Sequence, residues 1–116
     1  MNTSIVDDHE DTLEFMARFL AHIGHKVVTA STYRKALSIG QQQKFDILIS
    51  DIGLPDGSGY DLISALQGLS PIKGIALSGY GMKADIDRSV AAGFSAHLTK
   101  PCDLSVLNAT IEKVLS

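Results

Sequence analysis

The chain contains 116 residues, which fits one domain because domains usually hold roughly 100 to 200 residues. Its 10 lysines and arginines against 13 acidic residues give a net charge of -3, so it offers no broad positive field for nucleic acid or an anionic membrane. A single cysteine excludes an intramolecular disulfide. We therefore expect one domain over residues 1–116 that is cytoplasmic, either by itself or as the cytoplasmic part of a larger sensor protein.

Short apolar runs alternate along the chain with longer segments of helical period, which predicts parallel strands joined by crossover helices. The first run ends at Asp7. The third run is apolar at nearly every position, as expected for a strand that is covered on both faces. The predicted strands cover residues 4–6, 26–30, 45–50, 74–77 and 96–99.

A segment of helical period follows each predicted strand. The first segment ends at Gly24 and the fourth at Gly93, because glycine commonly stops a helix. Ser31 is the expected N-cap of the second. The predicted helices carry their apolar residues within residues 13–23, 32–42, 62–69, 82–92 and 104–114.

This alternation predicts an α/β fold in which helices cover both faces of one sheet. Right-handed crossovers leave few topologies. At this length the leading one is a five-stranded parallel sheet of order 2-1-3-4-5, doubly wound with five helices. A sheet of this flavodoxin-like class binds ligands at the carboxyl ends of its strands, where strands one and three diverge.

Polar side chains stand at four of the five predicted strand ends: Asp7 and Asp8, Asp51, Ser78 and Lys100. Carboxylates that meet at one sheet edge repel each other, so such a site raises a pKa or recruits a cation. Oxygen ligands favour a hard ion such as Mg²⁺. A carboxylate nucleophile, a metal, an ammonium group and a hydroxyl are together the parts that phosphoryl transfer needs.

Four segments carry a family resemblance: IVDD at residues 5–8, DIGLPDGSG at 51–59, ALSGYG at 76–81 and LTKP at 98–101. With them the chain resembles a response-regulator receiver domain of two-component signalling, from residue 5 to its end. The resemblance implies the flavodoxin-like receiver fold. It also implies a phosphorelay module that switches conformation, with self-phosphorylation and slow hydrolysis as its chemistry rather than turnover of a separate substrate.

The resemblance implies a role for each acid at the strand ends. Asp51 is expected to accept a phosphoryl group from a phosphohistidine. Asp8 is expected to bind Mg²⁺ directly and Asp7 to bind it mainly through a water. Asp51 and the backbone carbonyl of Gly53 would complete the protein ligands, and Mn²⁺ is expected to substitute for Mg²⁺.

The remaining matched positions concern switching. Ser78 fills the Thr/Ser switch position of the family, and Lys100 fills its lysine position, followed by Pro101 after an expected cis peptide. One residue departs from the pattern: the aromatic switch position, three residues before the lysine, normally holds Tyr or Phe and holds His97 here. We expect Ser78 and His97 to form the switch, with a coupling to output that differs from the usual one.

The resemblance also implies the partners. These are a histidine kinase or a histidine-phosphotransfer protein, with no direct contact to nucleic acid or membrane, for a domain that is a monomer or weak dimer. The segments at residues 7–13, 50–59 and 74–81 look most like receivers of hybrid sensor histidine kinases. We expect the partner to contact the Asp51 loop and helix one, with Leu13, Met16 and Ala17 as its candidate residues.

Two other functions stay open on the residues alone. A Mg²⁺-dependent phosphohydrolase would use the same aspartyl nucleophile, but it normally has a second acid soon after, where Ile52 and Gly53 stand. A flavin- or nucleotide-binding flavodoxin-like carrier would place a phosphate at the first strand-helix turn. The four acids within residues 7–11 would repel that phosphate.

Three further features have simple structural explanations. His9 beside the acids suggests a transition-metal ligand, but zinc sites usually gather several His or Cys ligands, so we expect the imidazole in solvent. Cys102 is expected to be a small packing residue. The GSG segment at residues 57–59 lacks the lysine of a P-loop and is expected to form a flexible turn.

Overall fold

The computed structural model describes residues 1–79 and 83–116, and its centre is a parallel sheet of five strands. Two further strands of two residues each, β4 (Gly53–Leu54) and β5 (Gly57–Ser58), form a separate antiparallel hairpin. The strands of the main sheet are β1 (Asn2–Val6), β2 (Lys26–Ala30), β3 (Ile47–Asp51), β6 (Lys73–Ser78) and β7 (Ala96–Thr99).

The strand order across the main sheet is β2-β1-β3-β6-β7, and every neighbouring pair is parallel. Because β4 and β5 lie outside this sheet, the order is the predicted 2-1-3-4-5. The doubly wound α/β fold class is therefore confirmed. Its reversal of strand order at β1 and β3 places the ligand crevice at the carboxyl ends of these two strands.

Five helices connect the strands, and among the described residues none is long and apolar enough to cross a membrane. Gly24 follows α1 and Gly93 follows α4, with φ angles of 104° and 121° that L side chains rarely adopt. The helices are α1 (Glu10–His22), α2 (Tyr33–Gln42), α3 (Gly59–Gln67), α4 (Lys83–Ala92) and α5 (Leu104–Leu115).

Several element ends differ from the sequence prediction. The N-cap of α2 is Thr32 rather than Ser31, because the Thr32 hydroxyl accepts from the amide of Lys35. Strand β1 begins at Asn2, two residues before its predicted start. Asn2 and Thr3 pair with β2 but are polar, so the apolar pattern did not reveal that they belong to the strand. Leu69 lies beyond α3 and is exposed. The predicted start of helix four, Met82, falls outside the described residues.

The segment at residues 57–59 is not a flexible turn, which corrects the sequence prediction. Gly57 and Ser58 form β5 and pair with β4. The Ser58 hydroxyl then caps α3 by accepting from the amide of Asp61 at 3.2 Å. Hydrogen bonds at both ends therefore order this segment.

The core consists of two layers, one on each face of the sheet, because successive strand residues point to opposite faces. Ile47 and Ile49 of β3 pack with α1 and α5, whereas Leu48 packs with α2 and α3. Helix residues in the first layer include Leu20 and Ile111. Both faces of the sheet are thus filled with apolar side chains, which leaves the carboxyl ends of the strands for polar groups.

Candidate functional site

The parallel register brings Asp7 and Asp51 to neighbouring strand ends. Val6 pairs with Ser50, so the residues that follow them, Asp7 and Asp51, lie at the same level of the sheet. On the other side of β3, Asp51 pairs with Leu77, which places Ser78 one residue further along β6. The expected convergence of these strand ends is therefore present in the fold.

Lys100, which follows the end of β7, bridges the two acids. Its Nζ donates to Asp7 Oδ2 at 2.8 Å and to Asp51 Oδ2 at 3.1 Å. The Asp7 side chain is fully buried, while those of Asp51 and Lys100 are 13% and 25% exposed. Because a buried carboxylate is costly without a partner charge, this bridge is a main reason that the acids can sit together.

Opposing influences act on the Asp51 carboxyl. Burial is the largest, and it raises the pKa of Asp51 above its usual value. The Lys100 hydrogen bond and charge act to lower the pKa, the charge of Asp7 raises it further, and a hydrogen bond from the Gly53 amide lowers it. The net pKa is raised, so the ionised acceptor carries a cost in the folded chain.

The pKa of Lys100 is also raised. Burial acts to lower the pKa of its ammonium group, but the hydrogen bonds and charges of Asp7 and Asp51 together outweigh that effect. The group therefore keeps its positive charge at neutral pH. It supplies one fixed positive charge at the centre of the site.

Asp8 and His9 extend the site toward solvent. Potential ligand atoms of Asp7, Asp8, His9 and Asp51 all lie within 4.8 Å of one another. The His9 ring is 72% exposed, as expected, yet its Nδ1 lies 3.2 Å from Asp8 Oδ1 and 3.3 Å from Asp7 Oδ1. The backbone amide of His9 also donates to Asp7 Oδ1 at 2.9 Å. His9 is thus exposed, as predicted, with its ring beside two carboxylates of the site.

The donor set of the site fits a hard divalent cation. Asp7, Asp8 and Asp51 supply three carboxyl groups beside one ammonium group, that of Lys100, so acidic groups outnumber the positive charge in this cluster. Carboxylate oxygens are the ligands that Mg²⁺ prefers in proteins. Gly53 lies two residues beyond Asp51 in β4, where its backbone amide acts to lower the pKa of the Asp51 carboxyl.

The hairpin of β4 and β5 closes against the backbone of Asp51. The amide of Gly59 donates to the carbonyl of Ile52 at 2.7 Å. A Cβ atom at Gly59 would lie only 2.5 Å from the backbone oxygen of Asp51, so no other residue fits without displacing the backbone. This close approach fixes where the chain turns after the candidate acceptor.

Comparison with known proteins identifies the family. The model of the response regulator receiver domain matches residues 4–112 of the chain. The chain belongs to this family.

Relatives of the receiver differ in length and output. A 14.6 kDa protein of Leptolyngbya boryana is 31% identical over 106 residues, which cover 89% of this chain and 81% of the relative. The KDP operon transcriptional regulatory protein KdpE of Escherichia coli is 32% identical, with 98% and 51% covered. The virulence sensor protein BvgS of Bordetella pertussis is 28% identical, with 97% and 10% covered. The chain thus spans about half of KdpE and a tenth of BvgS.

Solved structures show the same receiver fold. A CheY-like receiver domain protein of Methanospirillum hungatei has a TM-score of 0.92 at 30% identity, with 98% of this chain and 92% of that chain covered. A response regulator of Burkholderia pseudomallei, solved with a phosphorylated aspartic acid, calcium ion and citrate, has a TM-score of 0.87 at 29% identity, with 99% and 66% covered.

Ser78 lies at the end of β6, and its side chain is buried among the strand ends. Its backbone carbonyl accepts from the amide of Lys100 at 2.7 Å. The peptide bond between Lys100 and Pro101 is cis. A backbone hydrogen bond therefore joins Ser78 and Lys100, the residues at the predicted switch and lysine positions of the receiver.

His97 lies on β7, half-buried, and faces α4. Its Nδ1 lies 2.7 Å from the hydroxyl of Ser89, which is fully buried. The same hydroxyl lies 3.1 Å from the carbonyl of Asp85, to which it donates, so it links the His97 ring to the backbone of α4. The histidine thus ties β7 to α4, a contact that no local pattern in the sequence indicates.

A cleft of about 400 Å³ lies between α1 and the start of α5, and Lys100 forms part of its wall. The Phe15 side chain lines this cleft and is 63% exposed. Of the three predicted partner contacts, Ala17 is half-buried as expected, whereas Leu13 and Met16 are buried in the core, although Met16 also lines this cleft. The expected exposure of Leu13 and Met16 was wrong because both belong to the apolar period of α1, whereas Phe15 is the apolar residue out of phase with that period.

Cys102 is half-buried and packs against the core layer that contains α1 and α5. Burial raises the pKa of its thiol, and the neighbouring charge of Asp103 raises it further. A thiol held in its neutral form is a poor nucleophile. Its environment agrees with the packing role expected from the sequence.

Proposed function

We propose that this receiver accepts a phosphoryl group on Asp51 from a phosphohistidine of its partner. The observation that carries the proposal is the Lys100 bridge, which holds the Asp51 carboxylate beside a fixed positive charge. One Asp51 oxygen attacks phosphorus and forms a P–O bond while the P–N bond to the imidazole breaks. The leaving imidazole regains a proton from solvent, so the charges and atoms balance.

Mg²⁺ is the cation that suits the donor set, with Mn²⁺ as a substitute. We propose that Asp8, Asp51 and the Gly53 carbonyl hold it directly and that Asp7 acts through a water. When bound, Mg²⁺ supplies the positive charge needed by clustered carboxylates and an incoming phosphoryl group. The phosphorylated aspartic acid and calcium ion in the relative from Burkholderia pseudomallei support this assignment.

Phosphorylation is proposed to shift an equilibrium between two conformations. A phosphoryl group adds about −1.5 to −2 charges and new acceptor oxygens beside Lys100. The Ser78 hydroxyl lies on the adjacent strand end and is proposed to move toward these oxygens. His97 lies on the next strand, and its bond to Ser89 provides a route by which the change reaches α4. We therefore propose Ser78 and His97 as the switch.

The site favours self-phosphorylation over turnover of a separate substrate. Ile52 and Gly53, which follow the acceptor, carry no acid or base that could activate a water against the acyl phosphate. This difference separates the proposal from a phosphohydrolase with an aspartyl nucleophile. Hydrolysis of the phosphorylated receiver is accordingly expected to be slow.

The phosphohistidine partner is proposed to bind over the cleft beside Phe15. This exposed ring stands next to the wall that Lys100 forms, so a partner seated there would present its histidine near Asp51. A histidine kinase or a histidine-phosphotransfer protein would fill this role, with the receiver a monomer or weak dimer. A cytoplasmic location agrees with the lone, unpaired Cys102.

The parent polypeptide is a separate question. Similarity to BvgS supports a sensor protein, in agreement with the proposed hybrid histidine kinase. Similarity to KdpE equally supports a transcriptional regulator in which the receiver is joined to an output domain. The proposed phosphoryl chemistry is the same in either context.

Intact-mass measurement after treatment with acetyl phosphate and Mg²⁺ tests the proposal. The parent should gain one phosphoryl group and Asp51→Asn none, because the amide keeps the shape but removes the nucleophile. Asp61→Asn, which changes an exposed acid in the first turn of α3, is the matched control and should label like the parent. Equal labelling of the parent and Asp51→Asn would overturn the assignment, and full labelling in excess chelator would overturn the need for a cation.

A further inference from the structure

Asp56, at the tip of the hairpin after the acceptor, binds the first turn of a helix that lies far away in the sequence. Its Oδ1 accepts from the amide of Tyr33 at 2.7 Å and its Oδ2 from the amide of Arg34 at 3.0 Å. The hydroxyl of Thr32, the N-cap of α2, accepts from the amide of Lys35, the third residue of the helix. Asp56 therefore accepts from two amides in the first turn of α2 that the Thr32 hydroxyl does not bind. Its negative charge at the N-terminus of the helix also interacts favourably with the helix dipole.

A second contact ties the hairpin to the same helix. A Cβ atom at Gly57 would lie 2.8 Å from Cγ of Tyr33, so the tyrosine side chain packs directly on the hairpin backbone. Strands β4 and β5 pair only through Gly53 with Ser58 and Leu54 with Gly57. A two-stranded hairpin this short is marginal without outside support. The contacts with α2 provide that support at the hairpin tip.

The other end of the hairpin is the acceptor site itself. Gly53 lies in β4, two residues beyond Asp51, and its backbone amide acts to lower the pKa of the Asp51 carboxyl. Gly59 packs against the Asp51 backbone oxygen, and its amide donates to Ile52. A shift of the hairpin would therefore move the groups that orient the acceptor.

From these contacts we propose that Asp56 is a positioning residue for the phosphorylation of Asp51. By anchoring the hairpin tip to the start of α2, it fixes the hairpin, and with it Gly59, against the backbone of the acceptor. Asp56 does not touch the reacting atoms. The inference rests on the proposed function, because the reaction it serves is the transfer to Asp51.

The competing explanation is that Asp56 only caps α2 and so stabilises the helix. Thr32, which caps the same helix, provides a matched control for this explanation. Thr32→Ala removes a cap from the same helix but leaves both Asp56 contacts in place. Asp56→Ala removes the link between helix and hairpin. Asp56→Asn keeps one acceptor oxygen, so it should restore part of the anchor.

The rate of Asp51 labelling at saturating acetyl phosphate and Mg²⁺, followed by intact mass, is the first measurement. Asp56→Ala should lower the maximal rate about tenfold, since small misplacement of reacting groups has large kinetic effects. Asp56→Asn should give an intermediate rate. Thr32→Ala should lower the melting temperature but label at the parent rate. A rate for Asp56→Ala within twofold of the parent, or an equal loss in Thr32→Ala, would overturn the inference.

A second measurement does not depend on phosphorylation. NMR spectra without phosphodonor report the amides of Gly53 and Gly59 directly. In Asp56→Ala these signals should shift and the Gly59 amide should exchange faster, while in Thr32→Ala both should stay as in the parent. Failure of the parent to label at Asp51 would refute the proposed function alone. Unchanged Gly53 and Gly59 amides in Asp56→Ala would refute the anchor in either case.

Discussion

The ammonium of Lys100 donates to the carboxylate of Asp51 at 3.1 Å, although 49 positions separate the two residues in the chain. The same ammonium donates to the buried Asp7 at 2.8 Å. One positive charge thus holds two acids at the centre of the site. The bridge connects the stability of the domain to its proposed chemistry, because both depend on the same three side chains.

Lys100→Met is expected to lower the free energy of unfolding by about 2 kcal/mol, because it leaves the buried Asp7 carboxylate without its ionic partner. Methionine keeps most of the chain length but removes the ammonium, with both its charge and its hydrogen-bond donors. Urea unfolding in metal-free buffer measures the effect. Lys113→Met, on the exposed side of α5, is the control and should stay within about 0.5 kcal/mol of the parent. Equal stability of Lys100→Met and the parent would show that the bridge contributes nothing.

Asp51→Asn is expected to raise the melting temperature in metal-free buffer at neutral pH. Burial raises the pKa of Asp51 in the folded chain, so the folded state binds this proton more tightly than the unfolded chain does. Stability is therefore lost as the pH rises through the folded pKa, and the amide avoids that loss. The advantage should shrink as the pH falls toward about 4, near the ordinary pKa of an aspartate. An advantage that is absent, or independent of pH, would contradict the raised pKa.

Gly59→Ala is expected to destabilise the fold by about 2 kcal/mol, because its Cβ would meet the backbone oxygen of Asp51 at 2.5 Å. Backbone atoms at that distance cannot yield as a flexible side chain can. Gly53→Ala is the control for stability, since nothing lies within 4 Å of its added Cβ. Thermal unfolding compares the two variants. Similar melting temperatures for both would show that the hairpin adjusts freely.

The His97 ring is expected to change its environment when beryllofluoride, a phosphoryl mimic, is added with Mg²⁺. Its hydrogen bond to Ser89 joins β7 to α4, so movement of the strand ends should alter that contact. NMR signals of the imidazole report the change. The exposed His22 at the end of α1 is the internal reference and should not respond. Identical His97 signals with and without the mimic would remove this residue from the switch.

Phe15→Ala is expected to slow phosphoryl transfer from a phosphorylated histidine-phosphotransfer protein to Asp51 about tenfold. The reason is that loss of an aromatic side chain from the centre of an interface strongly weakens binding. The ring is 63% exposed beside the cleft, so its loss should not disturb the core. Val90→Ala on α4, where the side chain is 60% exposed, is the matched control and should transfer at the parent rate. Equal transfer rates for the parent and Phe15→Ala would place the partner elsewhere.

Local patterns in the sequence predicted the strands, the helices and their order. Buried strands such as β3 consist almost entirely of apolar residues, and glycines 24 and 93 stop helices where a positive φ is needed. The polar residues at strand ends were recognisable for the same reason, since each interrupts an apolar run. Because parallel strands end at one sheet edge, their convergence followed from the order of elements alone.

The contacts between distant side chains were decided by the tertiary structure. Asp56 reaches an amide 23 positions earlier in the chain, and His97 meets Ser89 across two elements. The burial of Leu13 and the exposure of Phe15 likewise depend on which helix face meets the sheet. Side-chain hydrogen bonds and charges act over a few ångströms, whereas apolar periodicity records only whether a residue is buried. Which polar groups meet is therefore set by the packing of the whole fold.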